Sequence, residues 1–152
     1  MKKTKYLHGD VRVQVSAWEP KWIDMILGGS NISFYFTEEE AADERRLYAI
    51  SILLQAVIST LNKKEPRVQL EYDELCEKKF VFFCYDCLYL HQSREKARRF
   101  LIRVCELLER LPSALYEKMP EDIPQYEADV RAYARSVKES LKNKQEFDYW
   151  VC

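Results

Sequence analysis

The sequence predicts an α+β domain: an antiparallel sheet of about four strands, two long helices packed on one of its faces, and a third, C-terminal helix. Three observations carry this. Asp10–Ala17 and Arg67–Tyr72 alternate polar with apolar residues at a period of two. Two longer stretches, one ending near Asn62 and one over Arg94–Leu111, repeat apolar residues at steps of three and four. After Pro112 a narrower stripe returns at the same helical period.

Taken in order, Asp10–Ala17 is the cleanest strand, with Val11, Val13, Val15 and Ala17 facing one way and Arg12, Gln14 and Ser16 the other. Pro20 and Gly28 bracket a short helix over Lys21–Leu27, in a segment whose Trp18, Trp22, Ile23, Met25 and Ile26 make it too apolar for an exposed connector. It reads as a satellite core or as an aromatic contact patch. Asn31–Phe36 is a second strand with Ile32, Phe34 and Phe36 inward. Thr37 with Glu40 three residues later forms a capping box that opens a helix reaching Asn62. The acidic run Glu38–Glu40 suits the positive end of that helix dipole, so it is not read as a metal site. Leu47, Ile50, Leu53, Leu54, Val57, Ile58 and Leu61 give this helix the broadest apolar stripe in the chain.

A turn at Asn62–Pro66 leads to Arg67–Tyr72, then a polar turn over Asp73–Lys79 and the apolar strand Phe80–Cys84. Ser93 is the expected cap of the next helix, whose stripe is Ala97, Phe100, Leu101, Val104, Cys105, Leu108 and Leu111 before Pro112 stops it. A ββα unit used twice is one description of this order. Ser113–Pro124 is a proline-bounded connector. The third helix opens at Asp122 or Ile123 and carries Tyr126, Val130, Tyr133, Val137 and Leu141. The aromatic tail after Lys144 is expected to dock on its own domain or on a partner.

At 152 residues, with 47% hydrophobic and 32% charged residues, the chain reads as one globular domain over 1–152, with a core at 10–111 and the C-terminal helix and tail at 112–152. The formal net charge of -1 leans against a nucleic-acid binder. No stretch has the roughly 18 apolar residues of a membrane span. The lysines of the N-terminus lack a following apolar core, so a cytoplasmic protein with no membrane partner is expected. Five cysteines are an odd number, which opposes a disulfide framework, and Cys76, Cys84, Cys87 and Cys105 read as thiols, with Cys84 and Cys105 at small core positions.

Chemistry finds little support. Cys84 and Cys87 have CxxC spacing, but Cys84 ends a strand and the expected helix cap is Ser93, which opposes a thioredoxin-like site. Cys76, Cys84, Cys87 and His91 would make four zinc ligands, yet Cys76 and Cys84 sit at opposite ends of a strand about 20 Å long. No nucleophile or phosphate-loop motif is present. Neither catalysis, a metal nor a cofactor is therefore expected.

The far face of the sheet shows Arg12, Gln14, Ser16, Ser33, Tyr35, Gln69 and Glu71, while the last strand puts Val81, Phe83 and Tyr85 on one face and Phe80, Phe82 and Cys84 on the other. A strand apolar on both faces needs a second cover, whether the third helix, the Trp18–Leu27 segment, a twin subunit or a target. The helix Arg94–Arg110 has a cationic surplus, with Arg98, Arg99 and Arg103 near Tyr85 and Tyr89. The expected function is a non-enzymatic protein-binding module that acts by occluding a target. Immunity proteins and the anti-defence proteins of phages and mobile elements offer an analogy in size, charge density and lack of catalytic motifs. Its expected contact residues are Trp18, Trp22, Tyr35, Phe83, Tyr85, Tyr89, Arg98, Arg99, Arg103, Tyr149 and Trp150, with Trp22 in the core and Trp150 peripheral. The alternatives are a small-molecule or nucleotide sensor on the open sheet face, and nucleic-acid binding through the Arg-rich helix. A monomer or a homodimer fits either.

Overall fold

The computed structural model describes residues 11–15, 29–36, 40–72, 78–85, 87–119, 123–143 and 148–151. The Trp18–Leu27 segment, with Trp18 and Trp22, lies outside them, as do Thr37, Cys76 and His8.

The chain is α+β. Strand β1 (Val11–Val15) alternates buried and exposed residues along its length, as its sequence dictates. It is followed by β2 (Gly29–Phe36), helix α1 (Glu44–Asn62), β3 (Arg67–Tyr72), β4 (Lys78–Tyr85), the short helix α2 (Leu88–Gln92), α3 (Arg94–Glu109), the single turn and a half of α4 (Ser113–Glu117), α5 (Glu127–Asn143) and β5 (Asp148–Val151). The strands lie in the order β3-β4-β2-β1-β5.

Two hairpins meet at the centre of the sheet. Strand β2 runs antiparallel to β4, pairing Ile32 with Phe82 and Phe34 with Phe80. Each hairpin is followed by a long helix, the order that a doubled ββα unit requires. The expectation of four antiparallel strands needs one correction. The aromatic tail forms a fifth strand, β5, which pairs parallel to β1 and makes the sheet mixed. This satisfies the backbone of a terminus too apolar to stay in water, and fixes Tyr149 beside Val13.

One hydrophobic cluster joins the helix-facing residues of the strands to all three long helices. Phe34 and Phe82 meet edge to face at 5.4 Å. Tyr133 of α5 stacks on Phe36 at 4.6 Å. Helix α5 therefore shares the face covered by α1 and α3, and it does not cover the far side of the sheet. Arg131 ties α5 to the end of α3 by donating to the backbone oxygens of Glu109 and Leu111. Those carbonyls have no partner within α3 itself.

Helix starts differ from the sequence reading in two places. Helix α1 is capped by Asp43, whose Oδ1 accepts from the backbone N–H of Arg45 and Arg46 at 3.1 Å each. A 3-10 turn over Glu40–Ala42 precedes it, so the Thr37 box does not open this helix. Asp43 also accepts from the Tyr126 hydroxyl at 3.2 Å, which anchors the approach to α5. The connectors before and after α3 are partly helical rather than irregular, as α2 and α4. Ser93 does cap α3, accepting from the Lys96 N–H at 3.1 Å.

The three cysteines among the described residues are packing residues. Cys84, Cys87 and Cys105 are free and buried. Burial pushes the Cys84 thiol up to about 12, with neighbouring Cys87 adding to it, and burial likewise takes Cys105 to about 12. Cys87, unlike the sequence reading of this pair, does stand at a helix N-terminus. Its thiol is nevertheless raised, because burial outweighs the lowering effect of the Leu90 and Tyr89 N–H groups. A raised folded-state pKa means that the buried thiols contribute stability fully below their unfolded value of 9.0, and that this is lost as pH rises from there through about 12. Cys84 and Cys105 should accordingly resist alkylation at mildly alkaline pH until denaturant is added, as read by mass spectrometry. Rapid labelling of either in the folded protein would contradict this packing.

Candidate functional site

Helix α2 is short because the chain must turn from the end of β4 into α3. That turn brings Tyr89 over the first two turns of α3. The Tyr89 ring is 53% exposed and lies nearly parallel to Phe100, with centroids 5.6 Å apart at 10°. Phe100 is buried beneath it, so one face of the pair is anchored and the other is open. With Leu61 from the end of α1, these rings floor a groove of about 460 Å³. Gln92, Lys96, Arg99 and Arg103 complete its lining.

The cations follow from helix geometry. Lys96, Arg99 and Arg103 stand at i, i+3 and i+7, which places them on one side of α3 over about 10 Å of its axis. Lys96 Nζ donates to Gln92 Oε1 at 2.6 Å. The Arg99 side chain is 74% exposed and lies 3.6 Å from Glu95. Glu95 is closer to Arg98, at 2.8 Å, and so neutralises Arg99 weakly. Arg103 is exposed and forms no ion pair among the described residues. The groove thus combines an aromatic floor with a positive rim.

The structure sorts the sequence-predicted contact residues. Tyr89, Arg99 and Arg103 come together in this groove. Arg98 stands apart: it donates to the Leu141 carbonyl at 3.4 Å and joins α3 to α5. Tyr149 is also engaged internally, with its hydroxyl donating to Leu90 O at 2.8 Å and its ring against the core. Tyr85 pairs through its backbone with Gly29.

On the far face of the sheet, Tyr35 is buried. The Arg12 guanidinium lies 4.5 Å from its ring centroid and donates to its hydroxyl at 3.3 Å, and Lys79 approaches the same ring. Arg12 is in turn 3.2 Å from Asp148, and Lys79 3.6 Å from Glu71. Phe83 is half-buried under the Arg67 guanidinium, 4.6 Å from its centroid. Val81 is buried there too. Trp150 at the rim is 61% exposed. The described rings of this face other than Trp150 are therefore held in cation–ring and ion pairs within the protein, and Trp150 is exposed.

Sequence reasoning did not place Leu61, Gln92, Lys96 and Phe100 in the site. The spacing of Lys96, Arg99 and Arg103 was a signal for the rim, whereas the stacking partner of Tyr89 depended on the turn through α2. Among the described residues no group of three or more His, Cys, Asp or Glu side chains is arranged to hold a metal ion. No helix among them is long and apolar enough to cross a membrane. No family model, curated protein or solved structure matches the chain.

Proposed function

We propose that the chain is a non-catalytic protein-binding module whose groove on α2 and α3 takes an acidic segment of a partner, with one apolar side chain of that segment seated against Tyr89. The observation that carries this reading is the juxtaposition of the open Tyr89–Phe100 stack with the row Lys96, Arg99 and Arg103. Tyrosine and arginine side chains supply a large part of the energy at protein contacts. Here the ring is held by packing before any partner arrives, which lowers the ordering cost of binding. Acidic side chains on one side of an extended segment recur at about 6.7 Å, a spacing that lets two of them meet a cation row about 10 Å long. An inhibitor acting by occlusion is the form of this reading that the chain's size and charge density favour.

Two other readings draw less from the geometry. A nucleic acid would meet the same cations, but the net charge is -1 and Glu106 stands one turn beyond Arg103 on α3, where a phosphate backbone would continue. A ligand sensor on the far sheet face would need a cluster of open rings there, and Tyr35 is buried under Arg12 and Lys79 while Phe83 lies under Arg67, which leaves Trp150 at the rim.

The test is a partner captured from the host and then measured against variants. Arg99→Glu combined with Arg103→Glu should weaken that partner by more than about tenfold, and Tyr89→Ala by a similar factor. The melting temperature of the double variant should barely move, because both arginine side chains are exposed. A partner held with unchanged affinity by both variants would overturn the assignment.

A further inference from the structure

We infer that β3 is a dimerisation edge, through which two copies of this chain join their sheets. Strand β3 ends the sheet, so only its β4 side is paired among the described residues. An edge strand of this kind offers its outer N–H and C=O groups to another chain unless something blunts it. The charged residues of β3, Arg67 and Glu71, are of opposite sign, so they do not repel a second copy of the strand. Strand β3 holds no proline, and its register against β4 runs without a bulge from Arg67 to Tyr72.

The side chains specify the occupant. On the far face of the sheet the strand carries Arg67, Gln69 and Glu71, and on the helix face Val68 and Leu70. Let a second copy of β3 run antiparallel to the first, with the two-fold axis at Gln69. Arg67 of each copy then faces Glu71 of the other, and Val68 faces Leu70, both pairs occurring twice. Directly opposed side chains on an antiparallel pair stand about 5 Å apart at Cβ, close enough for charge pairs and apolar contact to act. A shift by two residues in either direction loses both charge pairs, and a shift by one exchanges the polar and apolar faces. The charges are also held in position before pairing, Arg67 over the Phe83 ring and Glu71 beside Lys79. Leu70, 43% exposed in the single chain, gains a cover. A two-fold axis perpendicular to the sheet keeps the helices of both copies on one side, so a continuous sheet of twice the width results.

The test is a charge swap read by sedimentation equilibrium over a concentration series. The unaltered chain should rise from 18.2 kDa towards twice that mass. Arg67→Glu alone opposes two acidic groups and Glu71→Arg alone two basic ones, so each should stay monomeric. The combined variant restores opposite charges in swapped order and should dimerise again. Gln69→Cys gives a second readout that does not depend on the charges. At the two-fold position the Cα atoms of such a pair are about 4.5–5.5 Å apart, within disulfide range, so this variant should cross-link on mild oxidation well beyond the unaltered chain. An unaltered chain that stays monomeric throughout the series would overturn the inference. So would a dimer that ignores the single reversals, or a Gln69→Cys chain that cross-links no more than the unaltered one. Circular dichroism of each variant shows that it is folded, and if a reversal does not fold, the Gln69→Cys cross-link decides.

Discussion

Replacing Phe82 by alanine is expected to destabilise the protein by about 3–5 kcal/mol, the largest loss of any single substitution considered. Phe82 is fully buried in the middle strand pair, facing Ile32 across β2 and Val68 across β3. Its ring also supports Phe34 edge to face. Truncation removes the transfer energy of the ring and leaves a void that the sheet cannot close, since the neighbouring backbones are fixed by their hydrogen bonds on both sides. The midpoint of urea denaturation should fall well below that of the unaltered protein, with an unchanged slope. A midpoint that hardly moves would show that the sheet centre is not packed as described.

Ile58→Ala should come next, at about 2–5 kcal/mol. Ile58 is fully buried in the last two turns of α1, and Leu54 lies one turn before it. Helix α1 belongs to the same hydrophobic cluster as the strands, α3 and α5, so a cavity here opens inside the shared core. Ile58→Val removes a single methylene and should cost only about 0.5–1.5 kcal/mol. A graded response of this kind separates cavity formation from loss of the helix, and equal losses for the two substitutions would contradict burial as the cause.

Much of this core was legible in the sequence, for a physical reason. Period two in β1 and β3, and periods of three to four in α1, α3 and α5, record a local geometry that every turn of the chain repeats. The Tyr126, Val130, Tyr133, Val137 and Leu141 stripe was therefore readable; the last four are buried and Tyr126 is half-buried. What could not be read depended on distant partners. The tail strand β5 is four residues long, and its strand character comes from a parallel pairing with β1 at the other end of the sequence. The Thr37 box resembled a helix start, but the Asp43 side chain makes the actual cap. Nothing in the local pattern ranks one against the other. The groove was half legible in the same way. Its cations follow from spacing on one helix, whereas the pairing of Tyr89 with Phe100 requires the turn through α2 to be known.

Whether the groove on α2 and α3 selects an acidic protein segment is decided by a peptide titration. A fluorescent peptide with glutamates at alternate positions and one central tryptophan is titrated with the protein, its emission anisotropy reporting binding. A glutamine-substituted version of the peptide and a labelled oligothymidylate are run at the same salt concentration. The acidic peptide is expected to bind and to be weakened by added salt, and both the glutamine version and the protein carrying Arg99→Glu with Arg103→Glu should lose the interaction. An acidic peptide that fails to bind, that binds the reversed variant equally well, or that binds less tightly than the oligothymidylate would contradict the proposed selectivity.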